Sequence, residues 1–113
     1  MKASATTKTI KQFVKYSNAF DVEKALTLFT KNAVIDDVSV GEKFKNTKGV
    51  RNYLETFFVG YNTVTKLEAV EIIDDLKAKA LVDFTGRFGH ETGGLIFIFN
   101  KEGLINEISA YLD

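Results

Sequence analysis

The sequence predicts an α+β domain in which three N-terminal helices pack into the concave face of one highly curved, mostly antiparallel sheet. Three observations predict it. Apolar residues recur at helical spacing through the first sixty positions, the period falls to two from Val64 onward, and turn residues divide that second half into consecutive strands. Helices that precede a run of hairpin-connected strands segregate to one side of the sheet, which defines the α+β class. At 113 residues and 12.6 kDa the chain fits one folding unit spanning 1–113, with no linker, repeat or low-complexity segment inside it.

The elements follow in order. Ile10, Phe13, Val14, Ser17 and Phe20 line one side of a first amphipathic helix whose other side carries Lys8, Lys11 and Lys15. That lysine stripe reads as a solvated face, with contact to an anionic surface as its alternative. Asp21 is placed to N-cap a second short helix with Val22, Ala25, Leu26 and Phe29 as its apolar set. Ala33 to Val38 takes strand character, and Gly41 to Asn46 reads as a loop. Thr47 then caps a third helix carrying Val50, Tyr53, Leu54, Phe57 and Phe58, which Gly60 ends. Beyond Val64, Ala78, Ala80, Val82, Phe84, Gly86 and Phe88 share a face opposite Lys79, Asp83, Thr85 and Arg87. Asp74–Asp75, Gly89 to Gly94 and Asn100 to Gly103 supply the turns of a four-stranded meander.

Leu95 to Phe99 is apolar at both parities, so both faces of that strand need cover. One face meets the helices. For the face carrying Ile96 and Ile98 the simplest cover is a second copy of the sheet, so a homodimer through the outer, convex face is expected, with a private core strand as the alternative.

Composition excludes several function classes. Fifteen basic and fifteen acidic residues leave no net charge, against the basic excess that drives binding to a phosphate backbone, so nucleic acid is not an expected partner. The charges are unevenly spread: Met1 to Arg51 holds ten basic and five acidic residues, and Asn52 to Asp113 the reverse. No Cys and a single His provide neither a thiolate nucleophile nor a zinc site, and no metal is expected. Lys2, Lys8, Lys11 and Lys15 punctuate the N-terminal region where a secretory signal would be apolar. Nowhere do about eighteen apolar residues run together, so no membrane association and a cytoplasmic location are expected.

Asn18 to Asp37, NAFDVEKALTLFTKNAVIDD, resembles the entry motif of the nuclear-transport-factor-2-like superfamily, in which a helix pair closed by Leu-Phe-x-x-x-Ala leads into a strand ending in an acidic pair. Lys48-Gly-Val-Arg-Asn-Tyr-Leu is similar to the superfamily's third helix, and Phe99-Asn-Lys-Glu-Gly-Leu-Ile to its hairpin. Gly103, Ile105, Glu107, Tyr111 and Asp113 resemble the last strand of SnoaL-like members. The resemblance covers nearly the whole chain. It implies a cystatin-like cone of one bent sheet closed by three helices, with an apolar pocket inside and dimerisation through the outer face. It implies no single activity, because isomerases, cyclases, dehydratases, hydrolases and docking domains share the fold.

Strand alternation allows only one of Asp36 and Asp37 to point into the cone, and by resemblance to the ketosteroid isomerase base that one is Asp37. A carboxylate in a Phe-lined pocket is a competent proton acceptor; a strand-end Asp bonded to loop amides is the alternative. The same resemblance puts Phe13 and Leu95 where ketosteroid isomerases hold their Tyr and Asp donors, so true ketosteroid isomerisation is not expected. Asp113 matches the terminal acid or base of SnoaL-like cyclases, although parity groups it with Glu107, Ser109 and Tyr111 away from the pocket. His90, in a Gly-rich turn, is a candidate proton shuttle over the pocket mouth or a solvated loop residue.

The reading is a small apolar molecule held by Phe13, Phe29, Tyr53, Phe57, Val82, Phe84, Leu95, Phe97, Ile108 and Ala110, with Asp37 as the acid/base group of a cofactor-independent isomerase, cyclase or hydratase. Its alternative is a non-catalytic binding or docking domain, whose interior could be filled by the ten Phe rings.

Overall fold

Helix α1 (Ala3–Asn18) opens the structure, a computed structural model that describes residues 3–113; Met1 and Lys2 lie outside the described residues. It buries Thr6, Ile10, Phe13 and Ser17, spaced as one helical stripe, and leaves Lys8, Lys11 and Lys15 in solvent. The helix closes before Phe20. Phe20 adopts φ 58°, its amide donates to the Ser17 carbonyl, and the Asp21 amide donates to the Tyr16 carbonyl, the bonding pattern of a Schellman stop. Phe20, expected in the buried stripe, is therefore turned outward. Asp21 caps α2 (Val22–Leu26) as expected, accepting from the Lys24 amide at 3.1 Å.

Phe29, expected on α2, instead begins strand β1 (Phe29–Asp37). The expected loop after it contains a further strand, β2 (Glu42–Lys45), which pairs antiparallel with β1 and buries only Phe44. A short edge strand with one apolar residue carries too little period-two signal to be read from sequence. Helix α3 (Asn46–Tyr53) starts from Lys45 with no side-chain cap, so Thr47 does not serve as one. It runs on into a π-helical turn, Leu54–Val59, in which the Gly60 amide reaches back five residues to the Glu55 carbonyl at 2.8 Å.

The meander forms as predicted from β3 (Val64–Asp74), β4 (Lys77–Gly86), β5 (Gly89–Phe99) and β6 (Ile105–Leu112). The strand order is β2-β1-β6-β5-β4-β3, antiparallel except where β1 lies parallel to β6. Register shifts in β1, β3 and β5 bend the sheet. The expected turn from Gly89 to Gly94 is strand, and Arg87–Phe88 make the turn. Gly93 and Gly94 serve close approach instead, since a Cβ at either would overlap Tyr111 of the neighbouring strand.

On the inner face small and large residues meet across strands, with Ala78 opposite Phe97 and Ala80 opposite Leu95. Phe13 projects from α1 into their centre, its ring edge-on to Phe29, Phe58 and Phe97 at centroid distances of 5.9, 6.2 and 5.6 Å. On the outer face Ile96 lies between Lys79 and Ser109, and Ile98 between Lys77 and Glu107; both isoleucines are half-buried.

Candidate functional site

Asp37 is the last residue of β1, and the chain turns sharply after it. The Val40 and Gly41 amides donate to its carbonyl at 3.3 and 2.9 Å, while the Ser39 amide and hydroxyl both donate to Oδ1, at 2.9 and 2.6 Å. An Asx turn of this kind fixes the carboxylate in one orientation. Its other oxygen, Oδ2, accepts from the Tyr53 hydroxyl at 2.5 Å. The bonding to the loop expected of a strand-end Asp is present on Oδ1, while Oδ2 is turned to the Tyr53 hydroxyl. The group is 6 % exposed, whereas Asp36 lies on the opposite face beside Lys43 and Ser109.

Tyr53 reaches Asp37 from the last position of α3. Burial first, then the Asp37 charge and the hydrogen bond to it, pushes its phenol far above the ordinary value, so Tyr53 keeps its proton throughout the physiological range. The rings that follow pack along the π-helical turn, Tyr53 to Phe57 at 5.0 Å and Phe57 to Tyr61 at 5.5 Å between centroids.

Beside this pair opens a cavity of about 300 Å³, at the lower end of the volumes typical of small-molecule sites. Phe57, Phe58 and Phe84 wall it, and Asp37, Ser39, Tyr53 and Thr63 supply its polar interior. Tyr61 and Phe88, 42 % and 43 % exposed, stand at the mouth with Val40, Leu112 and Glu91.

Of the residues predicted to line a pocket, Tyr53, Phe57 and Phe84 do so. Phe13, Phe29, Val82, Leu95, Phe97, Ile108 and Ala110 are instead packed in the core deeper in the sheet's concavity. The helical period identified the buried face of Phe13, and alternation that of Val82, Ile108 and Ala110, but a period carries no information on depth along the element. Ser39, Val40, Phe58, Tyr61, Thr63, Phe88, Glu91 and Leu112 line the cavity without having been expected there. Ser39 was findable, since Asp-x-Ser at a strand end is an Asx-turn signal.

His90 and Asp113 stand elsewhere. His90, expected in a turn over the mouth, is in β5 with its Nε2 2.6 Å from Asp83 Oδ1 on β4, and alternation gives the cavity Glu91 instead. The hydrogen bond to Asp83, then its charge, raises the His90 pKa above 6.5, with a further contribution from Glu91. The stability this pair contributes is therefore fully present below about pH 6.5 and is lost as pH rises through the folded-state value. An NMR titration of the His90 ring should show that raised value, and Asp83→Asn should bring it down toward 6.5; an unchanged midpoint would discount the pair. Asp113 accepts from the Thr92 hydroxyl at 2.8 Å and does not line the cavity, where its neighbour Leu112 does.

Among the described residues no group of three or more acidic or His side chains is arranged to hold a metal, and no helix is long and apolar enough to cross a membrane. No family model matches the sequence, nor does any curated protein. Solved structures do match. A cystatin-like-fold protein of unknown function from Methylobium petroleophilum superposes with a TM-score of 0.87 at 19 % identity, over 99 % of this chain and 78 % of that one. The fold is nuclear-transport-factor-2-like. RV0760c from Mycobacterium tuberculosis, in complex with estradiol-17β-hemisuccinate, gives 0.84 at 18 % identity over 96 % and 94 % of the two chains. The epoxide hydrolase/cyclase-like enzyme SalBIII, of pyran ring formation in polyether salinomycin, gives 0.84 at 15 % over 96 % and 90 %. The α+β arrangement of three helices on a six-stranded sheet thus belongs to a cystatin-like cone fold that does not fix one activity.

Proposed function

We propose that this chain takes up a small, largely apolar molecule in the cavity and that Asp37 acts there as a proton acceptor, without metal or organic cofactor. One observation carries the reading: a buried carboxylate lines an open, aromatic-walled cavity. Three hydrogen bonds occupy three of the roughly four lone-pair directions of a carboxylate, leaving one on Oδ2 for a ligand. The steroid complex of RV0760c and the cyclase-like SalBIII, which share the fold, support a small-molecule role. Ketosteroid isomerisation by an oxyanion hole finds no support, because the Tyr53 proton is engaged by Asp37.

The test follows a neutral carbon acid, 2-tetralone, by NMR. Its uptake should shift resonances of Tyr53, Phe57 and Phe84, and its α-protons should exchange with deuterated water faster in the presence of the protein. Uptake without faster exchange would leave a binding domain; uptake nowhere in the cavity would remove both readings.

We also propose that the outer face, with Ile96 and Ile98, is covered by a second copy. The intact chain should then sediment at twice its 12.6 kDa mass, and Ile96→Lys should sediment as a single chain. A wild-type monomer at high micromolar concentration would sink this.

A further inference from the structure

The polar atoms of the cavity are oriented in one sense. Ser39 and Tyr53 donate their hydroxyl protons to Asp37, and Thr63 donates its own to the Phe57 carbonyl at 2.5 Å. The Ser39 and Val40 amides donate to Asp37 as well. Each of these hydroxyls therefore retains lone pairs for a ligand and no proton. Of the hydroxyls that line the cavity, only that of Tyr61, at the mouth, makes no such bond and keeps its proton to donate. The charged groups agree: Asp37 lies inside, Glu91 stands at the mouth, and no Lys, Arg or His lines the cavity. Arg87, next to Phe88 in sequence, and His90, next to Glu91, are both absent from its wall.

Away from the mouth such a site penalises a ligand that offers acceptors or negative charge, because those atoms would lose water and find no donor short of the Tyr61 hydroxyl. It favours a ligand that brings donors and positive charge. The walls point the same way, since Tyr53, Phe57, Tyr61 and Phe88 present rings whose faces attract cations. We infer that the cavity selects a hydrophobic ammonium compound, an amine-bearing ring or short chain, over neutral and anionic molecules of the same shape. This rests on the reading that the cavity takes up a ligand, and it names that ligand's class. The ammonium head would meet Oδ2 of Asp37 and the Tyr53 oxygen, with its apolar body against Phe57, Phe58 and Phe84.

Three probes of one skeleton test it by calorimetry at neutral pH: 3-phenylpropylammonium, 3-phenylpropanol and 3-phenylpropanoate. The ammonium should bind about tenfold or more tightly than the alcohol, and the carboxylate most weakly. Glu91→Gln, an exposed substitution with little bearing on folding, should narrow the gap between ammonium and alcohol by about threefold. Alcohol or carboxylate binding as tightly as the ammonium would overturn the inference while leaving the cavity a ligand site. Failure of all three probes at millimolar concentration, with no 2-tetralone uptake, would overturn the cavity reading as well.

Discussion

Asp37→Asn should abolish protein-assisted exchange of the 2-tetralone α-protons while leaving uptake of the ketone in place. An amide has no affinity for a carbon-bound proton, so the loss expected for removing a general base is roughly a hundred- to ten-thousand-fold. The substitution is nearly isosteric. The Asn oxygen can still accept from the Ser39 amide and hydroxyl, which preserves the turn after β1. Its NH₂ would meet the Tyr53 hydroxyl, which must then act as acceptor and give up its present donation to Oδ2. Disturbing that buried bond costs about 1–3 kcal/mol, so the thermal midpoint falls but the fold survives. Tyrosine fluorescence and the NMR spectrum of the free variant check that it does. Exchange that proceeds in the variant at the wild-type rate would refute the acid–base role of Asp37. Loss of uptake together with exchange would instead make Asp37 a ligand anchor.

Much of what surrounds Asp37 is legible in the sequence. Helical and strand periods placed α1, α2, α3 and the meander because each buries one face, and burial on one face imposes a period. Phe20 and Phe29 fell outside that logic: the same apolar ring ends one helix in a left-handed turn and starts a strand after another, and local spacing does not distinguish these cases. Gly93 and Gly94 were misread because glycine marks turns and close approach alike, and the deciding neighbour, Tyr111, is far along the chain. The inward orientation of Asp37 followed from alternation together with resemblance. Its bond to Tyr53 did not, because α3 docks that side chain onto β1 through tertiary packing alone.

The ten Phe residues raised a question that composition could not answer, namely whether rings fill the concavity or wall it. They do both. Phe13, Phe29 and Phe97 close the deep part, whereas Phe57, Phe84 and Phe88 leave the wide end open beside Asp37. What separates the sets is the element that carries them. α1 pushes Phe13 between sheet and helices, but the π-helical turn after α3 sets Phe57 against Tyr53 and Tyr61 along the rim of the cavity. A single filled core would leave Asp37 no ligand, and a wholly open cone would leave the sheet little to fold around.

That division predicts the largest stability effect in the molecule. Phe13→Ala should destabilise the fold by about 3–5 kcal/mol, the usual cost of deleting a buried aromatic side chain whose surroundings cannot collapse. Phe13 is 2 % exposed and is held edge-on by three rings from a strand end, the π-helical turn and β5, so no single movement fills the void. Against a total stability of about 5–15 kcal/mol for domains generally, a loss of that size should lower the thermal midpoint by roughly 15–25 °C. Phe88→Ala, at the rim, removes an equal ring from a largely solvated position and should cost less than about 1 kcal/mol. Urea unfolding of both variants, read as midpoints at constant slope, makes the comparison. Equal costs for the two would mean that the deep cluster is not the structural core, and the assignment of Phe13 to packing and of Phe88 to the ligand's entrance would have to be exchanged or abandoned.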